Sequence, residues 1–374
     1  MIIVSAFITI AYLLLIGAFI FGLERIALFN LENLASKTNF SIVIPFRNEA
    51  ENLPGLLASI ERLNYPKDQF ETLFIDDASE DNSAEIIKQS LSKSNINFKI
   101  VKNERSTASP KKDAIETAIK QAKHDWIITT DADCILPEYW LNSFDEFIQK
   151  NDALCISGPV TYTEKNSFLN RFQILDLLSL QGATIGGFGL KKPFLCNGAN
   201  LAYKKELFLK LNGFEGNSNI ASGDDIFLLE KVAKTHPKQL HYLKCKQAIV
   251  ETLPQPSWNH LFEQRKRWAA KTSNYNNGFG KLTGLVVLLM NALVVFGLGF
   301  SIFGALNPKF WIYIFAAKFC IDFGLIYKSA IFFNQKSALK SFVFAFLVYP
   351  FFSVFVALTS LVSGYQWKGR TFKK

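Results

Sequence analysis

FSIVIPFRNEAENLPGLLASIERLNYPKDQFETLFIDD, residues 40–77, contains two continuous apolar runs with a helical pattern between them. FSIVIPF (40–46) and FETLFID (70–76) read as strands buried on both faces. Between them Leu53, Leu56, Leu57 and Ile60 recur at the three-and-four spacing of one helix face. The alternation continues along the chain. SEDNSAEIIKQSLSK (79–93) reads as a helix opened by Asp or Ser caps, and NFKIVKN (97–103) as a strand. PKKDAIETAIKQAK (110–123) is a further helix and DWIITTD (125–131) a fourth strand. Strands alternating with helices predict an α/β fold with a mostly parallel sheet covered on both faces.

Sheets of that kind bind ligands at the carboxyl ends of their strands. The polar residues gather there. Arg47-Asn48-Glu49 follow the first strand, Asp76-Asp77 the second, and Asp131 and Asp133 the fourth. Two carboxylates around a single alanine repel each other, so a cation is the natural third party, with whatever that cation holds.

Apolar residues make up 49% of the chain and are concentrated at its two ends. Residues 2–23 carry no charge and are long enough to cross a hydrocarbon core of ~30 Å. They lack the basic start of a cleaved leader, so a retained membrane helix is expected over 1–24. Residues 282–306 and 341–364 are similar runs, and 310–327 is a shorter one holding Lys318 and Asp322 four apart, where they can pair. The net charge of +9 lies largely beside these runs, in Arg265, Lys266, Arg267, Lys271, Lys328, Lys336 and Lys340. That distribution suits a cytoplasmic membrane face and anionic lipid rather than nucleic acid, for which no module is present. The five cysteines are scattered and never in CxxC, which argues against a disulfide framework or a metal knuckle.

SIVIPFRNEAENL, FIDDASEDNS, TTDADC, NGANLAY, SGDDIF and QRKRW occur in an order that resembles family 2 glycosyltransferases of the glycosyltransferase A fold, over roughly 40–270. The flanking apolar segments resemble the layout of ceramide-glucosyltransferase-like enzymes. The resemblance implies a Rossmann-like catalytic domain over 38–275, membrane segments over 282–364 and a basic tail over 365–374. It places Pro45, Asn48 and Glu49 against a nucleotide and Asp77 on the uracil imide N–H. Lys111 or Lys112 would lie near the diphosphate, with Asp131 and Asp133 on Mg²⁺ or Mn²⁺. In the same way Asp225 would be the general base, preceded by Asp224 where the family commonly has glutamate. Asn197, Gly198 and Asn200 would approach the sugar. Gln264, Arg267 and Trp268 would lie near the diphosphate and the acceptor.

The activity implied is inverting transfer from a UDP-sugar to a lipid or lipid-linked hydroxyl, in a bacterial cell membrane with the catalytic domain in the cytoplasm. A processive polysaccharide synthase of the same family is the nearest alternative, and a non-catalytic nucleotide-sugar sensor the alternative of another class. Neither the sugar nor the oligomeric state is encoded in these motifs. Helix stripe Phe168, Phe172, Leu175 and Leu178 is expected in a core or, second, at a membrane interface. If every late segment crosses, the tail YQWKGRTFKK ends outside, against the charge rule. A re-entrant or interfacial 310–327, or a bend of 341–364 at Pro350, is therefore expected, with Trp367, Lys368 and Arg370 implied near the diphosphate.

Overall fold

The computed structural model describes residues 2–217, 223–272, 276–304, 307–362, 364–367 and 370–372. The chain begins with α1 (Ile2–Arg25), β1 (Phe40–Phe46), α2 (Leu53–Glu61), β2 (Phe70–Asp76), α3 (Ser83–Leu91), β3 (Asn97–Lys102), α4 (Pro110–Gln121) and β4 (Trp126–Thr129). It continues with β5 (Cys134–Ile135), α5 (Trp140–Lys150), β6 (Cys155–Ser157), β7 (Val160–Tyr162), α6 (Phe168–Gly189), β8 (Leu201–Lys204), α7 (Lys205–Lys210) and α8 (Asp224–Thr235). Last come β9 (Leu240–Tyr242), β10 (Val250–Thr252), α9 (Trp258–Thr272), α10 (Gly278–Ile302), α11 (Pro308–Phe332), α12 (Phe342–Val362), β11 (Tyr365–Trp367) and β12 (Arg370–Phe372). The chain divides into two compact units.

The α/β unit, residues 27–163 and 195–253, is built on a sheet of order β3-β2-β1-β4-β8-β6-β9. β3, β2, β1 and β4 are mutually parallel, with β4 returning to the far side of β1. β8 runs antiparallel to β4 and pairs Leu201 with Thr129. That reversal matters for function: it sets the start of β8, the NGAN turn, beside the carboxyl end of β4. The core beneath is apolar, with Phe40, Ile42, Ile44, Phe74, Ile128, Trp140 and Phe144 closed to solvent or nearly so.

The other unit comprises residues 1–26, 164–194 and 254–374. Among the described residues it holds four helical stretches long and apolar enough to cross a membrane: Ile2–Arg25, Gly278–Ile302, Pro308–Phe332 and Lys336–Leu361. Residues 164–194 and 254–272 group with these helices rather than with the α/β unit. α6 packs against α1 and α11 and buries Phe172, Leu175 and Leu178 of its apolar stripe. The short segment expected at 310–327 proves to be part of a helix of 25 residues. At 1.5 Å per residue that helix spans about 37 Å, so shortness does not mark it out as re-entrant. α12 runs on through Pro350. Lys318 Nζ meets Asp322 Oδ2 at 2.5 Å, as their spacing predicts, and the Tyr12 hydroxyl donates to Asp322 Oδ1 at 2.5 Å. Of the tail residues singled out above, Lys368 lies outside the described residues.

α1 and α6 approach until backbone touches backbone. A Cβ on Gly22 would lie 2.2 Å from the Gly186 carbonyl oxygen, and one on Gly189 would lie 1.9 Å from that of Gly22. Small residues at such crossings let helices gain van der Waals contact along their length. Gly22→Ala forces the pair apart and is expected to cost about 1–3 kcal/mol. The measurement is the thermal midpoint of the full chain in detergent. Gly17→Ala is the control, since a Cβ at Gly17 meets nothing within 4 Å. Equal midpoints for both variants would mean the crossing is not tight.

Candidate active site

The candidate site in the α/β unit forms where parallel strands end side by side. Phe46 pairs with Asp76 across β1 and β2, and Val43 pairs with Thr129 across β1 and β4. The loops leaving these strands must then lie along one sheet edge. Asp77 continues the ladder by donating its N–H to the Phe46 carbonyl at 2.9 Å, as Thr130 does to Val43 at 3.1 Å.

The first two loops are tied to each other. Arg47 Nη1 donates to the carbonyls of Asp77 at 2.9 Å and Ala78 at 2.5 Å, while Nη2 meets Glu80 Oε1 at 2.9 Å. Asn48 accepts the Glu80 N–H on its side-chain oxygen at 2.8 Å. Asn48 and Ala78 both hold left-handed backbone, φ 51° and 57°. That region is costly for alanine, and such strain is found where a loop must keep one shape at a site. Glu49 is buried, with Oε2 accepting from Asn52 Nδ2 at 2.7 Å. Pro45 occupies the last turnings of β1, partly exposed.

Asp77 is 7% exposed, and its Oδ1 accepts from Arg105 Nε at 2.5 Å and Asn103 Nδ2 at 2.8 Å. Two donors on one oxygen fix the orientation of the carboxylate. Neither Arg105 nor Asn103 was singled out by motif. The signal available was only that β3, next in sequence, would lie beside β2.

Asp131 and Asp133 stand in the turn after β4, both partly exposed around buried Ala132. Lys111, in the first turn of α4, donates to Asp131 Oδ1 at 2.7 Å, and its ammonium lies 3.5 Å from Asp224 Oδ2. Burial alone would lower the Lys111 pKa, but the carboxylates of Asp131, Asp224 and Asp225 overcome this and hold it above the ordinary lysine value. Of the two lysines left open by the motif, this is the one turned to the acidic cluster. Lys112 bonds elsewhere, though the carboxylates of Asp224 and Asp225 still act on it. It is 1% exposed, donates to the Asn217 carbonyl at 2.7 Å and stands 4.5 Å above the Phe227 ring. Burial pulls its pKa down to about 8.

α8 delivers Asp224 and Asp225 in its first turn. Asp225 Oδ2 accepts the Gly198 N–H at 3.0 Å and Oδ1 the Ile226 N–H at 2.8 Å. Thr129 Oγ1 donates to the Gly198 carbonyl at 2.6 Å, so the peptide groups around this glycine join β4 to α8. Gly198 lies close against the acidic cluster: a Cβ there would be 2.9 Å from Asp224 Oδ2, so that carboxylate would have to shift, and 3.5 Å from Lys111 Nζ. Asn200 does something other than what its motif implied. Its side chain is fully buried, with Nδ2 donating to the carbonyls of Pro159 and Ala248, each at 2.8 Å, and Oδ1 accepting from Trp140 Nε1 at 2.9 Å. An amide so committed has turned into the core and is not offered to a sugar.

The donor set suits a hard divalent cation with incomplete protein ligation. Among the described residues no group of three His, Cys, Asp or Glu side chains gathers as a metal cage. Two carboxylates with remaining positions left to phosphate oxygens and water is the usual arrangement for Mg²⁺ on a nucleotide. Gln264, Arg267 and Trp268 belong to α9, in the unit of apolar helices. Gln264 Oε1 accepts from Arg265 Nη1, and the Arg265 guanidinium lies 4.1 Å from the centre of the Trp268 ring. Arg267 is partly buried on the same helix.

Residues 41–211 match the family model described as glycosyl transferase family 2. The chain is 28% identical over 238 residues to the poly-beta-1,6-N-acetyl-D-glucosamine synthase of Staphylococcus epidermidis, covering 61% of this chain and 53% of that one. It thus spans about half the length of that curated relative. It is also 29% identical over 127 residues to the glycosyltransferase AglE of Haloferax volcanii, covering 34% of this chain and 40% of the other. Among solved structures, the mannosyltransferase PcManGT from Pyrobaculum calidifontis, in complex with GDP-Man and Mn²⁺, matches with a TM-score of 0.55 at 15% identity. That match covers 96% of this chain and 99% of the other. At that identity the likeness is one of fold, and the fold is the glycosyltransferase A type implied by the ordered motifs.

Proposed function

We propose that this chain, which carries a family 2 glycosyltransferase domain, moves a sugar from a UDP-sugar to a lipid or lipid-linked hydroxyl with inversion at the anomeric carbon. The observation that carries the reading is the acidic cluster joined by Lys111, in which Asp131 at the end of β4 and Asp224 at the start of α8 share one ammonium. Asp77, held by Arg105 and Asn103, accepts the imide N–H of the nucleobase. Asp131 and Asp133 would hold Mg²⁺ or Mn²⁺, which would supply positive charge to the departing diphosphate. Lys111 adds a further positive charge on the same side. Asp225 removes the proton from the acceptor hydroxyl as its oxygen attacks, and the bond to the nucleoside diphosphate breaks on the opposite face. One displacement with one base leaves the sugar inverted and forms no covalent enzyme intermediate.

Nucleotide sugars are cytosolic, so the α/β unit works on the cytoplasmic side of a bacterial membrane crossed by the apolar helices. A carboxylate at Asp77 accepts from guanine N–H groups as readily as from uracil, so GDP-mannose stays in the test beside the UDP-sugars. A polysaccharide synthase among the relatives favours a second reading, repeated addition to one growing chain. Both are decided by nucleoside-diphosphate release from purified protein in native lipid extract with Mg²⁺ or Mn²⁺. The panel is UDP-N-acetylglucosamine, UDP-glucose, UDP-galactose and GDP-mannose, with products sized by mass spectrometry. Turnover of one UDP-sugar into a lipid heavier by one residue is expected. A ladder of masses moves the reading to polymerisation. Binding of UDP without turnover of any donor would support the sensor instead.

A further inference from the structure

The helix that carries QRKRW is tied down by a residue inside the motif counted above only among the membrane-flanking charges. Arg265 is 6% exposed and is matched by Asp176 of α6, in an otherwise apolar stretch flanked by Leu175 and Leu177. Arg265 Nε donates to Asp176 Oδ2 at 2.6 Å, and Nη2 lies 2.6 Å from the same oxygen. The third nitrogen, Nη1, donates to Gln264, and the flat face of the guanidinium covers the Trp268 ring. Asp176 also lies within electrostatic reach of the Tyr349 side chain of α12. Three helices therefore meet at one ion pair, and its cation touches two of the three motif residues.

A buried ion pair is a poor way to gain stability, since apolar residues of similar volume usually serve as well or better. What this pair supplies is geometry. A planar fork with one edge on Asp176, one nitrogen on Gln264 and a face on Trp268 sets the orientation of both motif side chains. We infer that the Asp176–Arg265 pair is a positioning element that fixes Gln264 and Trp268 for the transfer step. This rests on the proposed glycosyltransferase reading. Arg265 and Asp176 act through their neighbours and are positioning residues, not catalytic ones.

Arg265→Lys separates positioning from charge balance, because lysine supplies the cation but neither the fork nor the flat face. The full chain is labelled with 5-fluorotryptophan, which gives six positions to observe by ¹⁹F NMR, and Trp268→Phe assigns the signal of interest. In Arg265→Lys the Trp268 signal is expected to shift or broaden while the other five stay. Turnover should fall by about 10–100-fold, as when other supporting contacts of a site are lost, with donor KM within about twofold because only the orientation of α9 side chains changes. Asp176→Leu combined with Arg265→Met guards against misfolding, since an apolar pair of that volume keeps the packing. It should lose turnover in the same way. An unmoved Trp268 signal in Arg265→Lys, or wild-type turnover in the apolar double variant, overturns the inference. Absence of turnover in the wild type with every donor would instead sink the proposed function, and the ¹⁹F result would still decide whether the pair orients Trp268.

Discussion

Asp225→Asn is expected to lower kcat by about 10²–10⁴-fold, the contribution of a positioned general base, while the affinity for UDP stays within about twofold. Asparagine keeps the size of the side chain and one acceptor oxygen. It can hold one of the two backbone bonds that Asp225 makes, to Gly198 or to Ile226. What it cannot do is take a proton from the acceptor hydroxyl. The comparison that gives the result meaning is Asp224→Asn. Asp224 is 7% exposed and 3.5 Å from the Lys111 ammonium, so its loss disturbs the charge balance around that ammonium. That variant should change nucleotide binding as well as turnover. Calorimetry with UDP, beside nucleoside-diphosphate release, separates the two. If Asp225→Asn turns over like the wild type, Asp225 only starts a helix, and the proton must go elsewhere.

The parallel half of the sheet was legible because its signals are local. Each strand is a short apolar run, each helix shows its own period, and Asp77, Asp131 and Asp133 fall just after strands whose ends must coincide. Lys318 and Asp322 were legible for the same reason, a spacing of four on one helix. Their third partner, Tyr12, was not, because it lies on a helix some 310 positions away. Distance in sequence also hid the task of Asn200. NGAN reads as a sugar-contacting turn until Trp140, Pro159 and Ala248 arrive from three other segments and use every polar group of the amide. The choice between Lys111 and Lys112 turned on about 100° of rotation between neighbours on a helix, which sets one toward Asp131 and the other toward Phe227. The grouping of α6 with the apolar helices was foreshadowed only by the second, membrane-interface reading of its stripe. Gly186 and Gly189 look unremarkable in GATIGGFG, and only the facing Gly22 shows why no side chain is there.

Lys111→Met is expected to destabilise the chain and to make it unusually dependent on divalent cations. The Lys111 ammonium serves Asp131 at 2.7 Å and Asp224 at 3.5 Å, so its removal leaves two carboxylates facing each other without that cation. Breaking a fully buried pair in this way costs about 3–5 kcal/mol. Here the Lys111 and Asp131 side chains are 21% and 37% exposed, so water screens part of the loss, and about 1–2 kcal/mol is the appropriate scale. The thermal midpoint of the variant should therefore fall without added metal. If Asp131 and Asp133 hold the metal, Mn²⁺ restores positive charge there, and a group that binds the folded state alone stabilises it by mass action. The rise in midpoint on adding Mn²⁺ should then be larger in Lys111→Met than in the wild type, and Lys111→Arg should behave like the wild type. This needs no donor, no acceptor and no turnover. Equal Mn²⁺-induced rises in Lys111→Met and wild type would mean that lysine and metal do not answer the same carboxylates. The acidic turn after β4 would then need another explanation.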